Sequence, residues 1–446
     1  MIISFSIENW MSFKDKATLS MVGSREQQHN DRVPRVGASK IKVLPTAAIF
    51  GGNASGKSNF LAALDFAKRL VVEGVSTNQV IPVEPFLLDG ESEKRPSSFA
   101  FELVIGEGIY EYSFKVTRTK VLEERLVKIN SKSEKELFSR SGDAFVFGGA
   151  QSKNQRLKFV AEGTRDNQLF LTNSVSQKID VFRHIYDWFY DSLIFISPVA
   201  YFTRFEQFMD EGQPLNSLLS QALSALDTGI DGLGGVEIPL ETLPQSEYLK
   251  DSPIADLNEG ESAKLRSLSD NASIIVTRKS GKLSAQKMVS YHAKADGSRA
   301  KLEMRQESDG TRRVIDLLPA FLCMVPAGST KVIVIDELDR SLHTTLTQSL
   351  LRYFFSTCSK DTRAQLLFTT HDVMLMDQQL LRRDEMWVTE RDTGGASTLT
   401  SLWEYGDIRS DTDIRKLYLN GRLGGVPSVL LDSALVAQSA KGLVDA

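Results

Sequence analysis

The sequence predicts an α/β fold in which a mixed sheet is flanked by helices and carries an inserted antiparallel β-subdomain and a helical insertion. Three observations lead to this prediction. At residues 44–70 an apolar run is followed by a glycine-rich turn and then by a helical pattern. Two later apolar runs end in polar residues, at 337 and at 371. At residues 98–147 apolar and polar side chains alternate with a period of two. Continuous apolar runs indicate buried parallel strands, whereas alternation indicates strands with one solvated face.

The glycine-rich turn at residues 51–58, GGNASGKS, fits the pattern G-x-x-x-x-G-K-[ST] between a predicted strand and a predicted helix. In this context the turn is a P-loop, whose backbone N–H groups and helix N-terminus surround phosphate groups. Lys57 would reach the β- and γ-phosphates, and the Ser58 hydroxyl would bind Mg²⁺. A chance glycine turn is the alternative. The predicted ATP-binding residues of the loop are Gly51, Asn53, Ala54, Ser55, Gly56, Lys57, Ser58 and Asn59.

The apolar run at residues 332–335 ends in two acids, Asp336 and Glu337. Ligands of parallel sheets bind at the carboxyl ends of strands. We therefore expect Asp336 to hold Mg²⁺, directly or through water, and Glu337 to activate a water molecule as general base. A core strand followed by an acidic surface turn is the alternative.

A third apolar run, residues 366–368, leads to His371. An imidazole at a strand end can contact a γ-phosphate or polarise the attacking water, so His371 is a second candidate catalytic residue. Ser308 and Gly310 precede a further helical pattern and offer an anion site at that helix N-terminus. Since one nucleotide does not require two such termini, we expect Ser308 and Gly310 to act on the nucleotide of a partner subunit. A capped helix would look the same.

Composition restricts the functional classes. The 446 residues are 41% hydrophobic and 25% charged, as in ordinary soluble proteins, and the formal net charge of −4 does not indicate a nucleic-acid binder. Only two cysteines, Cys323 and Cys358, are present, which favours a reducing compartment. The first ten residues lack a basic n-region, and the longest apolar stretch, residues 314–326, is too short to cross a bilayer. We expect a cytoplasmic protein without membrane contact.

Changes of pattern along the chain predict four segments. Residues 1–95 form the N-terminal part of the nucleotide-binding core, and residues 96–160 form the antiparallel β-subdomain. Residues 161–272 form a helical or irregular insertion, and residues 273–446 complete the core and add a C-terminal tail.

The order of these motifs resembles the ABC-type ATPase heads of SMC and RecF-like proteins. It is more similar still to the AAA-labelled ATPases of the OLD-like (overcoming-lysogenisation-defect) and abortive-infection branch. The residues that carry this resemblance are Glu307–Thr311, Asp336–His343, Thr369–Asp372 and Tyr418–Pro427. The resemblance makes Ser308–Gly310 a signature motif, Asp336 a Walker B acid, His371 a switch histidine, and Asp339 a nucleotide-contacting D-loop residue. Asp309 stands where the family usually has glycine.

The resemblance implies ATP and Mg²⁺ as cofactors, hydrolysis of ATP, and a head-to-head dimer that can assemble further. Within this branch the ATPase subunit of the PARIS anti-phage system is paired with a separately encoded effector. The 75 residues after His371 are too few for a Toprim nuclease domain. The expected partners are therefore a separate effector nuclease, of the Toprim type, and a phage-encoded trigger. An SMC- or RecF-like DNA-repair ATPase that binds DNA directly is the alternative, and a self-contained nuclease is disfavoured.

Overall fold

The computed structural model describes residues 1–37, 40–131, 133–198, 214–242, 257, 259, 262–266, 273–326, 328–406 and 412–426. Most of the predicted insertion between residues 243 and 272, and Pro427 of the last family motif, lie outside these residues. The strands are β1 (Ile2–Glu8), β2 (Ala17–Ser20), β3 (Arg35–Val36), β4 (Ile41–Lys42), β5 (Thr46–Phe50), β6 (Ser97–Ile105), β7 (Gly108–Val116), β8 (Val121–Ile129), β9 (Glu134–Ser141), β10 (Ala144–Phe147), β11 (Leu193–Ile196), β12 (Gly232–Ile238), β13 (Ser262–Arg266), β14 (Ser273–Lys279), β15 (Lys282–Ala293), β16 (Arg299–Glu303), β17 (Val332–Ile335), β18 (Gln365–Thr369), β19 (Met386–Arg391) and β20 (Ser397–Ser401). The α-helices are α1 (Lys57–Val72), α2 (Gln155–Glu162), α3 (Phe170–Ser176), α4 (Arg183–Asp187), α5 (Pro214–Ala225), α6 (Asp309–Met324), α7 (Thr344–Thr357) and α8 (Ile414–Leu419).

A mixed six-stranded sheet forms the centre, with strand order β11-β17-β18-β5-β19-β20. The first five strands are parallel and β20 is antiparallel to β19. Alternate residues of β17 enter opposite cores: Val332 and Val334 face the core that contains α1, whereas Ile333 and Ile335 face the core that contains α6 and α7. Helices thus cover both faces, which explains the continuous apolar runs and confirms the predicted fold class. The carboxyl ends of β5, β17 and β18 meet at one edge.

An antiparallel seven-stranded sheet packs on the other side of α1. Its order is β10-β9-β8-β7-β6-β1-β2. The Phe5 and Phe60 rings meet edge to face at 5.5 Å, and Trp10 lies 4.9 Å from Phe66, so α1 is packed between the two sheets. The predicted antiparallel subdomain is present. It also includes β1 and β2, since β1 pairs with β6 in register Phe5↔Phe101. The sheet therefore joins strands from the first two predicted segments.

A third sheet has the order β12-β15-β14-β13, with β16 pairing to β15. Helix α5 confirms the expected helix in the insertion, but the same segment also contributes the glycine-rich strand β12 to this sheet. This sheet precedes α6 in the chain and contacts its start, as described below. In the described part of the chain, no helix combines the length and apolar character that a membrane span needs.

Candidate functional site

The P-loop connects β5 to α1 through a backbone that requires small residues. Gly51 and Gly56 have φ angles of 150° and 111°, and Ala54 has φ 58°. A Cβ atom on Gly51 would lie 2.5 Å from Thr389 Oγ1, and one on Gly56 would lie 2.5 Å from Ser397 Oγ. Both glycines are therefore needed for the close approach of the loop to β19 and β20. The predicted strand–turn–helix context is present.

Lys57 is the first residue of α1 and is only 5% exposed. Its Nζ donates hydrogen bonds to the carbonyl oxygens of Gly51 (2.8 Å) and Gly52 (2.9 Å). Burial lowers the pKa of Lys57 to about 8, although the carboxylates of Asp336, Asp339 and Glu337 raise it. The loop thus holds a partly desolvated cation, which is the environment in which an ammonium group attracts phosphate most strongly.

Asp336 and Ser58, the two residues predicted to hold Mg²⁺, contact each other. Ser58 Oγ donates to Asp336 Oδ1 at 3.1 Å, and Thr369 Oγ1 donates to the same oxygen at 2.5 Å. Neighbouring ligands in an octahedral Mg²⁺ shell with bonds of about 2.1 Å lie about 3 Å apart, so the spacing of the two oxygens fits this ion. The described residues contain no group of three or more His, Cys, Asp or Glu side chains suited to a metal. Mg²⁺ at nucleotide sites uses one or two protein oxygens together with water and phosphate oxygens.

Glu337 follows in a left-handed backbone conformation, with φ 49°. Its N–H donates to Thr369 Oγ1 at 2.8 Å, so one buried threonine hydroxyl contacts both acidic residues. The Glu337 carboxylate lies 4.0 Å from His371 Nε2 and 3.6 Å from Arg340. A non-glycine residue in this conformation stores strain that is common at functional sites.

His371 lies between the P-loop lysine and the acidic residue Glu337. Its Nδ1 lies 3.4 Å from Lys57 Nζ, while its Nε2 faces Glu337. Its backbone N–H lies 3.3 Å from both carboxylate oxygens of Asp339. The predicted D-loop residue Asp339 therefore supports the histidine loop within its own chain.

Ser308 and Gly310 lie elsewhere. Ser308 is the exposed N-cap of α6, where its Oγ accepts from Thr311 N at 3.0 Å. A Cβ on Gly310 would lie 2.7 Å from the carbonyl oxygen of Ser341, so this glycine packs closely on the segment after Asp339. Neither Ser308 nor Gly310 is among the described residues that line the cavity at the P-loop.

That cavity has a volume of about 880 Å³ and collects most of the predicted residues. Residues 53–59 of the loop, Glu337 and His371 line it. Its other wall consists of residues that no motif indicated, and these are Met11, Ser12, Glu84, Pro85, Leu87, Leu88, Arg118, Arg391 and Gly395. Chain segments far apart in sequence form this wall, so only the tertiary structure brings them together.

Arg313 is a further residue that the motifs did not reveal. It lies one turn into α6 and is 5% exposed. Its Nη2 donates to the carbonyl oxygens of Asp336 (3.3 Å) and Glu337 (3.4 Å), and its Nη1 donates to Ser197 O (3.4 Å). Helix α6 is thus bonded directly to the backbone of the acidic pair.

Glu307 attaches the start of α6 to the third sheet. Its Oε1 accepts from Ser290 Oγ at 2.5 Å and lies 2.6 Å from His292 Nε2, both on β15. Glu307 is buried, and a buried carboxylate is stable only with such partners. The position of Ser308 therefore depends on the sheet as well as on the helix.

The sequence matches the family described as "AAA domain, putative AbiEii toxin, Type IV TA system" over residues 47–377, more than half of the chain. The chain belongs to this family. The matched range of this AAA domain contains the P-loop, Ser308, the acidic pair and His371, and the match confirms the AAA part of the predicted resemblance.

Two solved structures are similar to this AAA domain. The SMC head domain from Thermotoga maritima is 14% identical, covering 90% of this chain and 98% of that chain, with a TM-score of 0.35. An SMC head bound to the C-winged helix domain of ScpA is 12% identical, covering 91% of this chain and 99% of that chain, with a TM-score of 0.38. None of the curated proteins compared with the sequence matches it.

Proposed function

We propose that this AAA domain binds ATP with Mg²⁺ and hydrolyses it to ADP and phosphate. The observation that carries the proposal is the convergence of three segments. Lys57 contacts His371, Ser58 contacts Asp336, and Glu337 lies beside His371, all at the carboxyl ends of the parallel strands of the central sheet. Family membership supports nucleotide binding independently.

Each side chain has a role in this reaction. Lys57 and the loop N–H groups bind the β- and γ-phosphates, and Ser58 and Asp336 hold Mg²⁺, which when bound neutralises charge on the phosphate oxygens. Glu337 accepts a proton from water as the water oxygen bonds to the γ-phosphorus and the bond to the ADP oxygen breaks. His371 lies between Lys57 and Glu337, where it orients the water and the γ-phosphate.

Substitution of Lys57 tests this function. Lys57→Ala removes the buried cation from the loop, and we expect phosphate release from ATP to fall to background in the purified protein. Lys120→Ala is the control, because Lys120 is 59% exposed and pairs with Asp166 on the surface. Near wild-type turnover by Lys57→Ala would contradict the assignment of the P-loop.

We propose further that the complete site is shared between two subunits. Ser308 is exposed and is not among the described lining residues of its own cavity, which supports its contact with the nucleotide of a partner. In a head-to-head dimer, with higher assembly from it, Ser308 and Gly310 of one subunit bind the γ-phosphate held by Lys57 of the other. Asp339, the proposed D-loop residue, accepts from the backbone N–H of His371 in its own chain.

In the cell, we propose a role in anti-phage defence. The family description names a putative toxin and a type IV toxin–antitoxin system, which supports a role in a toxin-based system. The ATPase would hold a Toprim-type effector nuclease in the cytoplasm and release it on a phage-encoded trigger. Phage plating on cells with the intact gene neighbourhood should be reduced by the wild type and restored by Lys57→Ala. Equal plating on both strains would contradict this role, and ATP-dependent DNA binding by the isolated protein would then favour a DNA-maintenance ATPase.

A further inference from the structure

Two adjacent leucines are exposed on the wall of the phosphate cavity. Leu87 is 59% and Leu88 is 60% exposed, and both line the cavity that contains Lys57. Exposed leucines are ordinary when single and scattered, but a contiguous apolar pair beside a polar site suggests a ligand with an apolar part. We call Leu87 and Leu88 the leucine shelf.

The leucine shelf is held rigidly by a buried amide. Asn9 is 1% exposed, and its Oδ1 accepts from Phe86 N at 3.1 Å. Its Nδ2 donates to the carbonyl oxygens of Ser92 (2.8 Å) and Arg95 (2.9 Å). Asn9 thus bonds both ends of the loop that carries the shelf, so the two leucines are preorganised.

The shelf is also attached to the P-loop side of the cavity. Met11 N donates to Glu84 O at 2.7 Å, and the next residue, Ser12, accepts from Asn59 Nδ2 at 2.9 Å. A Cβ on Gly395 would lie 2.3 Å from Leu88 Cδ1, so the β19–β20 turn supports the shelf from another side. A continuous wall therefore runs from Asn59 on α1 to Leu88.

His371 contacts Lys57 and Asp336 contacts Ser58, whereas Ser12 of the shelf wall contacts Asn59. A triphosphate with its γ-phosphate near Glu337 and His371 therefore directs its nucleoside toward the shelf. We infer that Leu87 and Leu88 form the base-binding platform of this site, an inference that rests on the proposed function. The platform buries one face of the base by apolar contact, while the P-loop binds the phosphates.

Inorganic tripolyphosphate separates the two contributions, because it carries the phosphates without a base. Affinities of ATP and tripolyphosphate, each with Mg²⁺, are measured by titration calorimetry for the wild type and for Leu87→Ser, Leu88→Ser and the double variant. Each single variant should lose about tenfold in ATP affinity and the double variant more, since burial of most of a leucine side chain corresponds to about that factor. Tripolyphosphate affinity should not change. Leu419→Ser is the control, because Leu419 is 63% exposed and is not among the described lining residues.

Unchanged ATP affinity in the double variant would overturn the inference, and an equal loss for ATP and tripolyphosphate would overturn it too, because the leucines would then act through the phosphate loop. Lys57→Ala distinguishes failure of the proposed function. It should abolish binding of both ligands, and a wild type that binds neither ligand would reject the phosphate site itself. Because both leucines are exposed, the variants should keep the wild-type melting temperature.

Discussion

Two regions of the molecule differ in how complete they are within one chain. One is the sheet edge with Lys57, Asp336, Glu337 and His371, and the other is the N-terminus of α6 at Ser308. At the edge, side chains from three segments contact one another, and the Thr369 hydroxyl bonds both acidic residues. The Ser308 side chain bonds to Thr311 of its own helix, and Ser308 is exposed. Folding of one chain completes the first region, the finished edge, and the difference supports the proposal that a second subunit completes the other.

Glu337→Gln should give the largest effect at the finished edge. The amide cannot accept a proton from water, so turnover should fall by about 10²–10⁴-fold while ATP still binds. Turnover and ATP affinity are measured on the same preparation, and light scattering should show dimers or larger species with ATP. An unchanged rate would move the general base to another residue, with His371 the next candidate.

Thr369→Val sharpens the description of the same edge. The variant keeps the side-chain shape but removes the hydroxyl that bonds Asp336 Oδ1 and Glu337 N. Because Asp336 is the proposed Mg²⁺ ligand, loss of the bond that orients it should raise the Mg²⁺ concentration for half-maximal turnover about tenfold or more. Thr370→Val is the matched control, since Thr370 is also buried but its hydroxyl accepts a hydrogen bond from Asp372 N. The same Mg²⁺ requirement in both variants would contradict the role of Thr369.

Arg313→Met tests the link between the two regions and should have a smaller effect. The guanidinium donors to the carbonyl oxygens of Asp336 and Glu337 are lost, while the apolar stem is kept. We expect turnover to fall about tenfold with ATP affinity nearly unchanged, because net hydrogen bonds from charged donors contribute about 1.5–3 kcal/mol. Arg305→Met, on the exposed turn before α6, should leave turnover unaltered. An equal loss of affinity and turnover in Arg313→Met would indicate general destabilisation instead.

The finished edge was largely predictable from sequence. Continuous apolar runs identify β5, β17 and β18, and the residues at their carboxyl ends must share an edge in a parallel sheet. Three features were not predictable for physical reasons. Strand β12 contains three glycines, so its sequence lacks the usual pattern of a strand. Pairing of β1 with β6 depends on residues far apart in sequence. Arg313 bonds to backbone carbonyl oxygens, which no sequence motif indicates. The leucine shelf likewise depends on exposure, which only the folded structure reveals.

The most direct test of the shared site mixes two inactive proteins. Lys57→Ala and Ser308→Arg are combined in equal amounts after subunit exchange, so that about half of the dimers are hybrids, each with one site free of both substitutions. Hybrids of wild type and Lys57→Ala also hold one intact site and serve as the control for the activity of such a dimer. We expect the mixture of the two variants to recover about a quarter of wild-type turnover, because about half of the dimers have one of their two sites intact. If a dimer with one intact site does not have half of the wild-type activity, the control hybrids give the expected activity per dimer. Absence of recovery, with hybrids isolated by two affinity tags and the control hybrids active, would contradict a site shared between subunits.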